Sequence, residues 1–336
     1  MTLVTLVAEL LANPAVVRAL TADVVEPLAP DAARVAQALA AAFGPACVAL
    51  VHYGSHAQRS NAAPESAYDF FVIVTDYEPA YEALARSHGL PRTPRTAARL
   101  NRVLPPNIIA VRARDMTPPA VAKCAVLSLA DLAHAVSAGA NDHFIQGRLF
   151  QHVQLAWSRD RESRAAVLDA LASCRARTCE WGRPYLPDTF DAAGYLRALL
   201  TRSFAAEIRP EDEDRIETLT GAQRASLAPV YDALLHQLAA RKVIVREGDV
   251  YHPASPAPAP LRRRWERYFA RSKRRATLRW AKYVILYDGW VDYIAAKVER
   301  RSGVRVALTS RERRWPLLFL WPRVLRYLRA RPQRRR

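Results

Sequence analysis

Residues 47–55 read Cys-Val-Ala-Leu-Val-His-Tyr-Gly-Ser, and residues 68–74 read Tyr-Asp-Phe-Phe-Val-Ile-Val. Each apolar run has the length and the aromatic or β-branched content of a buried strand. The first run ends in Gly54 and Ser55, whereas the second carries Asp69, whose charge is costly to bury without a partner or a metal ion. The two stretches therefore predict two strands, one ending in a turn of small residues and the other carrying a carboxylate.

This pairing of a small-residue turn with a strand carboxylate has a chemical use. A Gly-Ser turn lets backbone N–H groups approach phosphate groups closely, and a neighbouring carboxylate can hold Mg²⁺ against those phosphates. The combination is typical of nucleotidyltransferase active sites. The motif is short, however, and a strand-ending turn followed by a capping Asp is the simpler alternative.

The rest of the chain has the patterns of an α+β protein. Residues 5–43 are rich in Leu and Ala and predict helices, with breaks near Asn13-Pro14 and at residues 27–30. Four strands are predicted, at residues 47–52, 68–74, 108–112 and 123–128, and a small mixed sheet with helices against it is the economical packing. After Ser128 the pattern is helical, until residues 242–246 and 250–252 predict a hairpin.

These patterns divide the chain into four parts. We expect residues 1–135 to form a nucleotidyltransferase-like domain with N-terminal helices, and residues 136–252 to form a mainly helical, winged-helix-like domain. Residues 253–260 read Pro-Ala-Ser-Pro-Ala-Pro-Ala-Pro, which is typical of a stiff linker. Residues 261–336 form a basic tail that we expect to be helical and amphipathic.

The charge of the chain is concentrated in this tail. Residues 261–336 contain 24 Lys and Arg against 5 Asp and Glu, which leaves residues 1–260 at a net charge of −1 out of the total of +18. A segment of this kind attracts polyanions, which are either nucleic acids or anionic membrane surfaces.

Aromatic residues among the charges favour the membrane. The tail contains Trp265, Tyr268, Phe269, Trp280, Tyr283, Tyr287, Trp290, Tyr293, Trp315, Phe319, Trp321 and Tyr327, and residues 315–322 form an apolar block bounded by prolines. Such rings suit the lipid headgroup region, but eight apolar residues are far fewer than the roughly 20 that span a bilayer. We therefore expect residues 261–336 to lie on an anionic membrane, and we do not expect nucleic acid as the partner.

Several motifs occur in an order that resembles one protein family. They are Tyr53-Gly54-Ser55, Asp69-Phe70-Phe71, Lys123 at the head of a strand ending in Ser128, Gly147-Arg148-Leu149, Leu186-Pro187-Asp188-Thr189-Phe190, and Ser203 to Arg209. Together they are similar to the mitochondrial translocator assembly and maintenance proteins, phosphatidate cytidylyltransferases of the inner membrane with bacterial relatives. The resemblance covers roughly residues 45–215. Two departures are Ala206-Glu207 in place of Gly-Asp, and Gln151-His152 in place of Lys-Pro.

The resemblance implies a set of site residues. Gly54 and Ser55 would bind the phosphates of CTP. Asp69 would hold Mg²⁺, and a second acid, either Asp76 or Glu207, would share it. Lys123 would neutralise the triphosphate as a point charge, and Arg148 and Arg209 would clamp phosphate. The simpler alternatives are an exposed strand-end charge for Lys123 and solvated helix faces for the two arginines.

The function implied is transfer of a cytidylyl group from CTP to phosphatidate or another lipid phosphate, which yields a CDP-lipid and pyrophosphate. We expect a peripheral enzyme on the cytoplasmic side of the inner membrane, and four cysteines without a disulfide or metal spacing agree with a reducing compartment. Two alternatives remain. One is a nucleotidyltransferase acting on a nucleic acid or a soluble acceptor, and the other is a membrane adaptor that has lost catalysis.

Overall fold

The computed structural model describes residues 2–58, 66–90, 92–113, 120–207, 212–286 and 309–314. It is a mixed α+β structure with a five-stranded sheet and a helical region, which confirms the predicted class at this level. The strands are β1 (Cys47–Tyr53), β2 (Tyr68–Val74), β3 (Asn107–Ala113), β4 (Ala120–Ser128) and β5 (Gln154–Ser158). The first four overlap the four predicted strands, whereas β5 was not predicted.

The sheet has the strand order β3-β4-β2-β1-β5. Strands β2 and β4 are parallel, and every other neighbouring pair is antiparallel. In the central pair Asp69 lies opposite Lys123, and on the other side Asp69 lies opposite Tyr53. This register puts the end of β1 beside the start of β2, so that the Gly-Ser turn and Asp69 are neighbours.

Helices precede the sheet, cover it and extend beyond it. They are α1 (Leu3–Leu11), α2 (Pro14–Leu20), α3 (Pro30–Phe43), α4 (Tyr77–His88), α5 (Pro94–Val103), α6 (Leu129–Ala135), α7 (Gln146–Leu149), α8 (Arg161–Ala176), α9 (Thr178–Gly182), α10 (Ala192–Ala205), α11 (Glu213–Ala240), α12 (Ala259–Leu286) and α13 (Ser310–Arg314). A hairpin of β6 (Ile244–Glu247) and β7 (Val250–Pro253) follows α11. The predicted hairpin is therefore confirmed.

Side chains alternate between the two faces of the sheet. Phe71 and Ile73 of β2 belong to a core cluster that also contains Val167 and Leu171 of α8. Asp69 precedes these two residues at spacings of two and four along the strand. Its side chain therefore lies on the sheet face that the helical region covers, at the start of β2.

Helix α11 corrects one boundary. The sequence pattern predicts two helices, over residues 212–218 and 221–240, but the structure has one helix from Glu213 to Ala240. Gly221 costs about 1 kcal/mol inside a helix. Packing of buried apolar residues on both sides of it, among them Leu219 and Leu227, offsets that cost.

One hydrophobic cluster runs through the residues predicted to form separate domains. It includes Leu6 of α1 and Leu234 of α11, and it extends to Phe269 of α12. Residues 1–279 form one compact unit and residues 280–336 form a second. The first quarter of the predicted tail, residues 261–279, is thus part of the first compact unit.

Burial of three aromatic residues corrects the interpretation of the tail. Trp265, Tyr268 and Phe269 are 9%, 8% and 2% exposed and belong to the core cluster. Because their rings are covered by protein, they are not available to insert into lipid. The apolar block at residues 315–322, the terminal Arg334–Arg336 and the aromatic residues from Tyr287 to Tyr293 lie outside the described residues.

The length and apolar content of the described helices bear on whether one of them could span a membrane. No single one of them is long and apolar enough to cross a bilayer. Helices α1 and α2 meet the composition test only as a pair, and they are bent by 96° at the break between them.

Candidate functional site

The turn after β1 depends on Gly54. Its φ of +81° lies in the left-handed region that favours glycine, and its carbonyl oxygen accepts a hydrogen bond of 2.9 Å from the N–H of Gln58. A Cβ atom at this position would lie 2.6 Å from Oδ2 of Asp69. Glycine is therefore needed both for the turn and for the close approach of the Asp69 carboxylate.

Asp69 and Lys123 form the second part of the site. Their side chains lie on the same face of adjacent parallel strands, and Nζ of Lys123 is 3.9 Å from Oδ1 of Asp69. The Asp69 side chain is 23% exposed and that of Lys123 is 43% exposed. The structure therefore brings together a glycine turn, a carboxylate and an ammonium group at one solvent-accessible end of the sheet.

We expect Gly54→Ala to lower stability by about 1–3 kcal/mol, because alanine is strained at this φ and its methyl group displaces the Asp69 carboxylate. Gly89→Ala is the matched control, since Gly89 has a φ of +72° but nothing within 4 Å of an added Cβ. Chemical denaturation of both variants measures the difference. Equal losses would mean that the contact with Asp69 contributes nothing.

Arg148 and Glu207 form a separate ion pair. Nη2 of Arg148 lies 3.5 Å from Oε1 of Glu207, and its Nη1 donates a hydrogen bond of 2.8 Å to the carbonyl oxygen of Phe144. The Arg148 guanidinium also stacks over the Phe144 ring, 3.9 Å from its centre. These contacts hold the Arg148 side chain of α7 in one orientation and leave that side chain 25% exposed.

Asp76 is not brought to Asp69, which corrects the expectation that the two share a metal ion. Seven residues of extended chain separate them, which is roughly 20 Å at the usual rise. Oδ1 of Asp76 instead caps α4 by accepting from the N–H of Glu78, and it lies 2.7 Å from Nη2 of Arg102. The backbone N–H of Glu78 is the main reason why the pKa of Asp76 is lowered.

Ser55 and Arg209 are the other predicted site residues, and His52 lies on β1 just before the turn. Ser55 follows Gly54 in the turn and is partly exposed, so that its backbone and hydroxyl group lie at the same end of the sheet. His52 is 2% exposed, and desolvation lowers its pKa to about 4. Arg209 lies outside the described residues.

Sequence reasoning missed Gln58 and Gln151. Both are buried, and Nε2 of Gln58 donates to Oε1 of Gln151 over 2.9 Å. The two residues are 93 positions apart, so no local spacing could have indicated the contact. The only signal was the polar run Gln151-His152 between the apolar residues Phe150 and Val153.

The donors at the site suit Mg²⁺ that is held by one carboxylate together with substrate phosphates, rather than by protein ligands alone. Within the described ranges, no group of three or more His, Cys, Asp or Glu residues is placed to hold a metal ion. Mg²⁺ is often held by one or two carboxylates together with phosphate oxygens of the substrate and water. Asp69, next to a turn suited to phosphate, fits this second mode but not a site built from protein ligands alone.

A scan against models of known protein families found no match to this chain, and a search of curated proteins also found none. The resemblance described above therefore rests on the motifs themselves. Of these motifs, the structure brings Gly54, Asp69 and Lys123 into one cluster.

Proposed function

We propose that the protein is a nucleotidyltransferase, and that it transfers a cytidylyl group from CTP to phosphatidate or another lipid phosphate. The observation that carries this proposal is the cluster of Gly54, Asp69 and Lys123 at one end of the sheet. A glycine turn, a carboxylate and a cation in contact with one another are the groups that a metal-bound triphosphate requires.

Each residue has a role in this proposal. Backbone N–H groups of the Gly54-Ser55 turn bind phosphate oxygens, and Lys123 offsets their negative charge as a point charge. Asp69 would hold Mg²⁺, which offsets the charge that builds up on the leaving pyrophosphate. Arg148 would bind a phosphate oxygen in place of Glu207, whose ion pair with Arg148 is long at 3.5 Å.

The reaction needs no strong base. An oxygen of the acceptor phosphate attacks the α-phosphorus of CTP, and a new P–O bond forms to give the CDP-lipid. The bond between the α-phosphorus and the bridging oxygen breaks, and its electrons leave with pyrophosphate. Because the acceptor phosphate is already ionised at neutral pH, catalysis consists of positioning and charge stabilisation.

The arrangement of the chain supports a finer description of the fold. A mixed sheet whose first two strands carry the Gly-Ser turn and the carboxylate supports a nucleotidyltransferase-like fold. The long helix α11 followed by the β6–β7 hairpin supports a winged-helix-like arrangement in the helical region. Both descriptions are part of the proposal.

The exposed side of α12 supports attachment to an anionic membrane, and we propose that this is the cytoplasmic side of the inner membrane. Exposed cations on its first five turns are Arg262, Arg263, Arg264, Arg267, Arg271, Lys273 and Arg274, with Glu266 as the exposed acid among them. A basic surface of this size attracts anionic lipid headgroups, and each cation contributes about 1 kcal/mol near the surface. A lipid phosphate would then be held close to the site that consumes it.

One observation favours a second candidate. Because Trp265, Tyr268 and Phe269 are buried in the core, residues 261–279 present charge without aromatic insertion. Such a surface suits a nucleic acid as well as a membrane. The second candidate is therefore a nucleotidyltransferase whose acceptor is a nucleic acid held on α12.

Pyrophosphate release from the purified chain distinguishes these proposals. Each nucleoside triphosphate is offered with Mg²⁺, either alone, with phosphatidate vesicles, or with a mixed RNA and DNA oligonucleotide pool. We expect release that requires both CTP and phosphatidate. Release that requires the oligonucleotides would establish the second candidate, and vesicle binding with no turnover under any condition would indicate a membrane adaptor.

A further inference from the structure

We propose that Gln151 is a positioning residue that fixes the Gly54–Gln58 turn relative to the Gly147–Arg148 segment. The inference rests on the proposed function, in which the turn and Arg148 hold phosphate groups of one reacting complex. It concerns two buried amide side chains that do not themselves reach the site. Their part is to hold two phosphate-binding segments from distant regions of the chain at one separation.

A continuous set of hydrogen bonds joins the two segments. The N–H of Gln58 donates to the carbonyl oxygen of Gly54 over 2.9 Å, and Nε2 of Gln58 donates to Oε1 of Gln151 over 2.9 Å. Nε2 of Gln151 donates in turn to the carbonyl oxygen of Gly147 over 2.6 Å. The Gln151 amide therefore links the glycine of the turn to the residue immediately before Arg148.

The link is buried, which makes it rigid. Gln58 is 8% exposed and Gln151 is 4% exposed, so water cannot replace either partner freely. Buried amide groups are almost always paired, because an unpaired one keeps the full cost of its desolvation. If the two segments moved apart, the Gln58 amide would lose its partner, and Oε1 of Gln151 would keep only the longer contact of 3.4 Å with Nε2 of Gln223.

The backbone carbonyl of Gln151 is hydrogen-bonded by the buried ion pair of Arg175 and Asp23. Nη2 of Arg175 donates to the Gln151 carbonyl oxygen over 3.1 Å, and the same guanidinium binds Asp23 through two hydrogen bonds of 2.5 and 2.9 Å. His152, the next residue, contacts Asp23 through Nδ1 at 2.9 Å. The linking side chain is thus anchored to α8 and to the N-terminal helices rather than to a loop.

Phosphoryl transfer depends on such anchoring. A displacement of about 1 Å in a group that binds the reacting complex can cost on the order of a hundredfold in rate. Arg148 is already oriented by Phe144 and Glu207 on its own side of the site. These contacts do not fix the distance between Arg148 and the Gly54–Gln58 turn, and the Gln58–Gln151 hydrogen bond does so.

The test is a double-mutant cycle of Gln58→Met and Gln151→Met, with Gln154→Met as the matched control. Gln154 is 6% exposed, its Nε2 donates to the Pro27 carbonyl oxygen and its Oε1 lies 3.4 Å from Nδ1 of His52, so it is a buried glutamine of similar kind whose partners lie outside residues 54–58. We expect kcat to fall by about 10–100-fold in each single variant and no further in the double variant. We expect Gln154→Met to leave kcat within about twofold, because the partners of its side chain belong to neither of the two linked segments.

Amide hydrogen exchange supplies a readout that does not need turnover. The amides of Gln58 and Gly147 are both hydrogen-bonded, to Gly54 and to His143, and are therefore protected. We expect Gln151→Met to accelerate exchange at both amides, and Gln154→Met to accelerate neither. If wild-type protein turns over no nucleotide, the proposed function fails while exchange still decides the inference. Additive losses of kcat, or exchange unchanged from that of Gln154→Met, would overturn it.

Discussion

Asp69→Asn is expected to lower CTP-dependent pyrophosphate release by at least about 10²–10³-fold, the usual cost of losing a preorganised electrostatic group. Asparagine keeps the shape of the side chain but removes the charge that would hold Mg²⁺ beside the phosphates. Lys123 remains 43% exposed and water can solvate it after the change. The variant should therefore stay folded while its activity is lost.

Asp76→Asn is the matched control for this variant. Asp76 lies on the same part of the chain, just beyond the other end of β2, and it caps α4. Asparagine caps helices nearly as well as aspartate, so stability should change little, and we expect activity to be retained. Circular dichroism and thermal unfolding establish that both variants are folded. Equal activity in the two variants would remove Asp69 from the proposed mechanism.

Acidification from pH 6.5 is expected to lower the free energy of unfolding by several kcal/mol, because two buried histidines are neutral in the folded chain. Burial lowers the pKa of His52 to about 4 and that of His143 to about 3. An unfolded chain binds a proton to each histidine near pH 6.5, whereas the folded chain leaves both neutral. Protonation therefore favours the unfolded state, and stability falls as pH drops from about 6.5 to about 4.

The magnitude follows from the two histidines. Each contributes up to about 1.4 kcal/mol per pH unit in this window. Because an unfolded histidine is only half protonated at pH 6.5, the pair removes about 3 kcal/mol between pH 6.5 and pH 5. Asp23 adds to the loss at lower pH. Its burial opposes ionisation, but Arg175 and the hydrogen bond from His152 outweigh this and hold its pKa below its usual range.

Urea unfolding across this pH range measures the effect. His143→Phe should reduce the pH dependence by about 1.4 kcal/mol per pH unit, because a phenyl ring remains among Trp181 and Phe269 without a group to titrate. His88→Gln, at a partly exposed position at the end of α4, controls for replacing a histidine elsewhere. A pH dependence unchanged by His143→Phe would show that His143 does not carry the loss.

The sheet was predictable where its strands are continuous apolar runs. Residues 68–74 were predicted at the bounds that the structure has, because every residue from Phe70 to Val74 is buried and the run is unbroken. Strand β5 was missed since Gln154–Ser158 is short, begins and ends with polar residues, and leads directly into α8. The reason that it is a strand lies in its pairing with β1, which no local pattern reveals.

The site was predictable only in part for the same reason. Gly54 directly follows β1 and Asp69 lies on the neighbouring strand β2, so a local motif identified them together. Lys123 joins them through the register of β2 and β4. The expectation that Asp76 lies beside Asp69 was wrong, because the two residues are close in sequence but lie at opposite ends of β2. Aromatic residues of α12 look alike whether they face lipid or a protein core, and only the packing of the core cluster distinguishes the two.

The docking of α12 determines where the chain can be divided. Asp142 is only 14% exposed beside Arg275 and Arg279 of α12, and Arg279 also donates to the Pro105 carbonyl oxygen over 3.0 Å. A chain shortened at Pro260 would lose these two cations along with three core aromatic rings, and would leave the Asp142 carboxylate without them. Any experiment that removes the basic tail at the proline-rich segment therefore measures damage to the interior together with loss of surface charge. Division after Arg279, where the first compact unit ends, keeps these interior contacts and the exposed cations up to Arg274, and removes only the charges of residues 280–336.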